Sequence, residues 1–546
     1  MSTLFFNKSK EIASEFIQSI LFVDDEIYGN QEGNQHALDS QALVKAFAKA
    51  KKLCALNNPK TVDEFNDVIH VALKSDITIL DWKLNLEQSE NADEDNDEDD
   101  VPERDPRGAY TMQLIEKLIA EDRNELKLIL IYTGETGLQS IVEEVFGKFE
   151  RRGIQRISEN LLGNASCRIR IAGKPSLEGT FAHTPELNTW ILRYEDIPDY
   201  ILTEFTRMTS GLVSNVALKA ISCIRSNVNK ILKIYNKDLD PAFLAYRAML
   251  PVPEDAAELL KDSIIDSFDS IIDYSQLEKH CDFDTISKWL KASVIHDDTI
   301  MFGKKGLSIE APLRHSWLLK GFTASMREAW TTTYPNEEIP KKIETMQRDL
   351  HKSDVIKFFK PTNSSAANID EQFSILTHHK SNYSNPSYVP RLSLGSVVKG
   401  RISNEYWLCI QQKCDSVRIN EDSRRFLFIP LDRVDGEGNF HIVVSDIDAA
   451  HSFTKLKINI GTSHNLKTIR FKANKEGAVF AVKRGRSKRF SFYPIYHNAK
   501  QKKSEHYDWI LDLKDSHAQR IANKYAATLS RVGLDEYEWL RRWGGN

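Results

Sequence analysis

The sequence predicts a multidomain α/β + α + β chain: a doubly wound parallel sheet at the amino end, a mostly helical middle, and a small β-barrel-like domain with a helical tail. Three observations predict it. Four short Ile/Leu-rich runs recur in the first 175 residues with amphipathic stretches between them, as strands buried on both faces do. Residues 196–385 carry long apolar periodicity with few breakers. Residues 390–500 alternate in short runs between Gly- and Asn-containing turns. At 546 residues the chain exceeds one domain. The expected division is 1–195 for the α/β part, 196–385 helical, 390–500 β-rich and 501–546 a helical tail.

In the first part, the strands are Ile20–Val23, Ile77–Leu80, Leu128–Tyr132 and Arg168–Ile171. A helix is expected over His36–Lys51, where Leu38, Leu43, Val44, Phe47 and Ala48 recur at helical spacing. A second covers Val62–Leu73, with Thr61 as N-cap and Glu64 at capping-box spacing. Between Glu87 and Asp105, eleven of nineteen residues are Asp or Glu, a self-repelling insertion that stays solvated.

The middle part reads as helices over Leu202–Ile234, Glu254–Tyr274 and Pro312–Trp330, a solvated amphipathic helix over Lys342–Lys357, and a linker over Asn363–Pro390. His296-Asp297-Asp298 reads as a surface turn. The β-rich part offers strands over Ser396–Ile402, Glu405–Gln411, Phe426–Pro430, Phe440–Ser445, Leu456–Ile460 and Lys467–Lys472, with Val434–Asn439 as a hairpin loop. The tail, Asp515–Trp543, returns to helix.

Composition bounds the function classes. Hydrophobic residues make up 41% and charged residues 28%, which supports sizeable cores in a soluble chain. No run of about eighteen apolar residues occurs, so no membrane-spanning helix is expected. The amino end lacks a basic-then-apolar secretory pattern. Six scattered cysteines (54, 167, 223, 281, 409, 414) fit reduced thiols in a cytoplasm. The pair Cys409-x4-Cys414 has no second pair at matching spacing, which argues against zinc.

The candidate chemistry sits at the strand ends. Asp24 and Asp25 follow the first strand, Asp81 the second, Thr133 the third and Lys174 the fourth. In an open α/β sheet the ligand crevice lies outside the carboxyl ends of the strands, so three carboxylates, a hydroxyl and an ammonium are expected to converge. Asp24, Asp25 and Asp81 suit a hard divalent cation, Mg2+ being the usual case. Asp81 could attack a phosphoryl group that the cation screens, Lys174 neutralise one phosphoryl oxygen, and Thr133 donate to another.

This arrangement resembles the receiver domain of two-component response regulators, a flavodoxin-like fold. The resemblance implies Asp81 as phosphoacceptor, Asp24 and Asp25 as metal-binding acids, Thr133 as switch hydroxyl and Lys174 followed by Pro175. It departs at Ile171, where receivers usually carry an aromatic switch residue, and at Asn85, where a proline is common. Residues 404–418 and 522–533 are similar to stretches of large bacterial receiver-containing proteins with a long extension. That family is similar to components of Detocs-type phosphorelay systems, an antiviral defence against phage. There a histidine kinase passes phosphate to receiver proteins, one bearing a toxic effector and another draining stray phosphate. The resemblance implies a histidine kinase as phosphodonor and a second receiver–effector protein as a further partner. It favours the drain, with autodephosphorylation as the one catalytic step.

One feature stands apart. From Lys467 to Lys503, twelve Lys or Arg face a single acid, Glu476, with Phe471, Phe480, Phe490, Phe492, Tyr493 and Tyr496 interleaved. Such a patch suits phosphate backbones and unstacked bases. Lys483, Arg484, Arg486, Lys488 and Arg489 would carry the nucleic-acid contact, the alternative being a basic rim that docks on an acidic partner.

Overall fold

The computed structural model of the chain describes residues 3–27, 38–86, 108–120, 125–293, 298–350, 355–359, 366–380, 388–419, 422–435, 440–445, 452–458, 466–483, 489–495 and 505–529. Contacts divide it into two compact units, Met1–Ser293 and Val294–Asn546. The boundary expected near residue 195 falls inside the first unit, because the helices beyond it pack onto the sheet.

The first unit is built on seven strands: β1 (Ser19–Val23), β2 (Leu53–Asn57), β3 (Ile77–Leu80), β4 (Lys127–Thr133), β5 (Gln155–Ser158), β6 (Leu161–Gly163) and β7 (Cys167–Gly173). Their order is β2-β1-β3-β4-β7-β6-β5. The first five in that order are parallel, and β6 and β5 extend the edge as an antiparallel hairpin. Strand β4 shows why this sheet is covered on both sides. All seven of its residues are buried; Ile129 and Ile131 enter one core while Leu128, Leu130 and Tyr132 enter the other, the period-two alternation of a strand.

Among the described residues, ten α-helices accompany it: α1 (Thr3–Phe16), α2 (Ser40–Lys49), α3 (Val62–Ala72), α4 (Ala109–Leu118), α5 (Leu138–Phe149), α6 (Ile197–Thr209), α7 (Leu212–Ile234), α8 (Asp240–Met249), α9 (Ala256–Tyr274) and α10 (Phe283–Ser293). Helices α3, α4 and α5 cover one face through Phe65, Leu114 and Val145. Helices α1, α2, α6 and α7 cover the other through Ile12, Phe47, Phe205 and Leu218. Thr61 caps α3 as its sequence predicts, its Oγ1 accepting from the Glu64 amide at 3.3 Å, but the returning bond of a capping box is shifted by one residue: Glu64 Oε2 accepts from the Lys60 amide at 2.7 Å. The single helix expected over Leu202–Ile234 is instead α6 and α7, broken where Ser210 and Gly211 leave helical geometry.

The second unit opens with a hairpin, β8 (Asp298–Phe302) and β9 (Lys305–Ile309), joined to α11 (Ala311–Lys320), α12 (Phe322–Thr333) and α13 (Lys341–Leu350) around Trp317, Trp330 and Phe358. The helical reading of this stretch missed the hairpin. Asp298 begins β8, whereas His296 and Asp297 lie outside the described residues. The helix expected over Pro312–Trp330 is two helices, parted at Gly321, whose φ of +83° suits glycine. Helix α13 is amphipathic as expected, with Lys341, Lys342, Glu344 and Thr345 exposed and Ile343 and Met346 entering the core. The supposed linker contains α14 (Ala366–His378).

The β-rich part comprises β10 (Ser396–Gly400), β11 (Tyr406–Cys409), β12 (Ser423–Val434), β13 (Ile442–Ser445), β14 (Phe453–Ile458), β15 (Lys467–Lys472), β16 (Ser491–Phe492) and β17 (Tyr507–Asp512). The ladder runs β13-β14-β12-β11-β10-β17-β16, with β15 also on β12. Among the described residues it is antiparallel and does not close on itself, so the barrel-like domain expected is not confirmed. The long strand β12 forks it, pairing β15 through residues 423–428 and β14 through 431–434. Most of the hairpin loop expected over Val434–Asn439 lies outside the described residues; β12 and β13 are not neighbours in the ladder, because β14 lies between them. One face of the sheet packs Val397, Leu408 and Ile429 against Ala518, Ile521 and Tyr525 of α15 (Asp515–Leu529). The other gathers Val398, Trp407, Phe428, Phe471 and Phe492. Among the described residues, no helix is long and apolar enough to cross a membrane.

Candidate functional site

The parallel register carries the five predicted side chains to one edge of the first sheet. Asp24 and Asp81 leave β1 and β3 at adjacent carboxyl ends, tied by the Asp81 amide donating to the Val23 carbonyl at 2.8 Å. Thr133 closes β4 opposite Gly173 of β7, and the Lys174 amide donates to the Thr133 carbonyl at 2.8 Å. Asp24, Asp25, Asp81, Thr133 and Lys174 are all buried.

Lys174 links the carboxylates. Its Nζ donates to Asp24 Oδ2 at 2.8 Å and to Asp81 Oδ2 at 2.6 Å. The other oxygen of Asp81, Oδ1, is buried without a hydrogen-bond partner. Asp24 Oδ1 accepts from the Glu26 amide at 2.8 Å. Asp25 Oδ2 accepts from the amide and the side-chain nitrogen of Asn85 at 3.1 and 2.5 Å. The Thr133 hydroxyl accepts from the Glu135 amide at 3.2 Å, which leaves its own proton free to be donated.

The electrostatics follow from that packing. Three carboxylates against one ammonium leave an excess of two negative charges in a buried site. Burial, and after it the charge of Asp81, pushes the Asp24 carboxyl up to about 7 against the pull of Lys174. Burial likewise raises Asp25, with its Asn85 hydrogen bonds opposing. Burial alone would depress Lys174, but the Asp81 and Asp24 carboxylates outweigh it and hold the ammonium form.

Carboxylate oxygens of Asp24, Asp25 and Asp81 lie within 4.8 Å of one another. An all-oxygen donor set, an excess charge of minus two and an orphaned Asp81 oxygen fit one hard divalent cation. Residues 16–178 match the family model of the response receiver domain. This region is a receiver domain. The match encloses all five side chains. No curated protein and no solved structure matches the chain. A receiver domain is in general a phosphoacceptor served by a kinase.

Two residues near the receiver site escaped the sequence reading. Asn85 was noticed only as a missing proline; in the fold it holds the Asp25 carboxylate by two hydrogen bonds. Tyr194 packs edge-on to Tyr132 with ring centroids 6.1 Å apart, and its hydroxyl, raised first by burial, feels both Lys174 and Asp24. No periodicity marks Tyr194, because it lies in a short 3-10 turn beyond the last strand.

The basic stretch belongs to the second unit. Lys483 is exposed with its ammonium 4.5 Å from the Phe490 ring centre. Arg489 lies 3.6 Å from Asp508. Arg484, Arg486 and Lys488 lie outside the described residues. Phe471 and Phe492 are core residues rather than exposed stacking platforms, which removes two of the aromatics that suggested base stacking. Cys409 is buried and Cys414 exposed, both as free thiols.

Proposed function

We propose that this protein is a phosphoacceptor in a histidine-kinase phosphorelay, taking phosphate on Asp81 with Mg2+ and draining it rather than passing it on. The observation that carries the proposal is the Lys174 ammonium 2.6 Å from Asp81 beside an unpartnered Asp81 oxygen. Asp24, Asp25 and Asp81 would hold the metal, which when bound supplies the positive charge that lets a phosphoryl group approach three acids.

The chain's own groups account for the rest. A carboxylate oxygen of Asp81 attacks phosphorus, the phosphorus–nitrogen bond of a phosphohistidine breaks, and its electron pair returns to the imidazole nitrogen. Lys174, freed from sharing its charge between two carboxylates, neutralises a phosphoryl oxygen. Thr133, whose hydroxyl proton is uncommitted, donates to another. Asn85 keeps Asp25 oriented. The drain reading draws on the buried aliphatic Ile171 at the usual aromatic position and on the resemblance of the extension to Detocs-type proteins, which also supports an antiviral role in a cytoplasmic setting.

The test is phosphorylation with a small phosphodonor and Mg2+, read on phosphate-affinity gels. Wild type is expected to shift and Asp81→Asn to stay. Equal shifts would remove Asp81 as the acceptor.

A further inference from the structure

The second unit holds a cavity of about 270 Å³ lined by His441, Ile458, His517, Arg520, Ile521 and Lys524. The four α15 residues among them recur at helical spacing, so His517, Arg520, Ile521 and Lys524 share one face. The fixed hydrogen bonds decide where the imidazole protons sit. His441 Nδ1 accepts from the Ile458 amide at 3.1 Å, so in the neutral ring Nε2 carries the proton. His517 Nδ1 faces Arg520 Nη2 at 2.8 Å; guanidinium only donates, so the His517 proton is on Nε2 as well. That nitrogen is buried and has no hydrogen-bond partner among the described residues.

The charge around the cavity is one-sided. After burial, the charges that lower His441 are Lys524, Lys457 and Arg520, all cations. Burial also lowers His517, again with Arg520 opposing its protonation. Arg520 and Lys524 are exposed at their tips, and neither has an ion pair among the described residues. A cluster of donors with no acid among them wants an anion. Ile458 and Ile521 supply apolar wall that a bare inorganic ion would not use.

We propose that this cavity binds a small phosphomonoester. Its phosphate accepts from His441 Nε2, Lys524 and the remaining Arg520 N–H groups, and its organic tail lies on Ile458 and Ile521. The volume admits a phosphate with a tail about the size of one ring. The site uses nothing of the receiver and stands or falls apart from it.

Calorimetry on the full chain tests it, with chelator present so that no divalent cation draws phosphate to the carboxylate cluster. Phenyl phosphate is expected to bind, and inorganic phosphate to bind at least fivefold more weakly. The Arg520→Gln/Lys524→Gln double variant should lose at least tenfold in affinity for phenyl phosphate. Lys524→Gln alone, at an exposed position, should lose about threefold or more and keeps the test standing should the double variant lose structure. No binding by wild type, or an unchanged affinity in the variants, overturns the site. Equal affinities for the two probes overturn the ester assignment.

Discussion

Asp24 is the residue whose environment and chemistry disagree most, and the disagreement has a sign. In an unfolded chain its carboxyl titrates near 3.8; in the fold, burial and Asp81 lift it to about 7. A group with a raised folded pKa stabilises fully below its unfolded pKa, and that contribution is lost as pH rises through the folded one. The metal-free receiver in wild type is therefore expected to lose stability between about pH 4 and pH 7 relative to Asp24→Asn. Mg2+ should flatten the wild-type loss, because it binds the ionised form. Amide hydrogen exchange of β1 and β3 across that pH range reads the difference. A wild type that gains on the variant as pH rises would contradict the assignment. Gly108 offers a steric counterpart. It enters α4 at φ +89°, and a Cβ there would sit 2.3 Å from Trp82, the neighbour of Asp81. Gly108→Ala should cost on the order of 2–4 kcal/mol, seen as faster exchange in α4 and β3. The five site side chains were legible because strand ends converge by rule. Asn85 was not, since its role depends on a side-chain direction that spacing does not encode.

At the scale of elements, the receiver sheet is locked by contacts that cross between strands and helices. Lys127, buried at the start of β4, donates to the Ser75, Leu73 and Ala72 carbonyls at 3.0, 3.3 and 3.5 Å. It thereby satisfies the last turn of α3 with a cation at the helix's negative end. Lys127→Met keeps the aliphatic packing and removes that donor from the Leu73 and Ser75 carbonyls, while the Ala72 carbonyl keeps the Ser75 amide and hydroxyl. It should destabilise the receiver by about 1–3 kcal/mol, with exchange rising first at the carboxyl end of α3. No change there would mean water caps the helix as well as the lysine does. The strands β1, β3 and β4 were readable as largely apolar runs, and β7 as isoleucines alternating with Arg168 and Arg170. The edge strand β2, Leu53–Asn57, was not, because none of its residues is buried, Leu53 and Ala55 being exposed, and its sequence carries no strong period. In the β-rich part most strand positions were legible and their pairing was not. Alternation reports which residues share a face, but the insertion of β14 between β12 and β13 is a matter of long-range register that no local pattern contains.

For the whole molecule the proposal turns on what a phosphate on Asp81 would do. A messenger needs a residue that changes place when the acceptor is loaded. Ile171 is a poor candidate: it is buried, its amide donates to the Asn160 carbonyl at 3.0 Å, and its carbonyl accepts from Asn160 Nδ2 at 3.0 Å. A drain needs only acceptance and loss of phosphate, so a buried aliphatic residue there costs it little. The two roles give opposite results in cells that contain an active cognate kinase and its effector. If the protein drains phosphate, Asp81→Ala leaves the relay unopposed and those cells should grow poorly, while extra wild-type protein should quiet the output. If it carries the message, Asp81→Ala should silence the output and leave growth intact. Growth curves of the two strains, with phosphate-affinity gels on the effector's receiver in the same cells, separate these outcomes: the drain predicts more phosphorylated effector in Asp81→Ala cells, and the messenger predicts no increase.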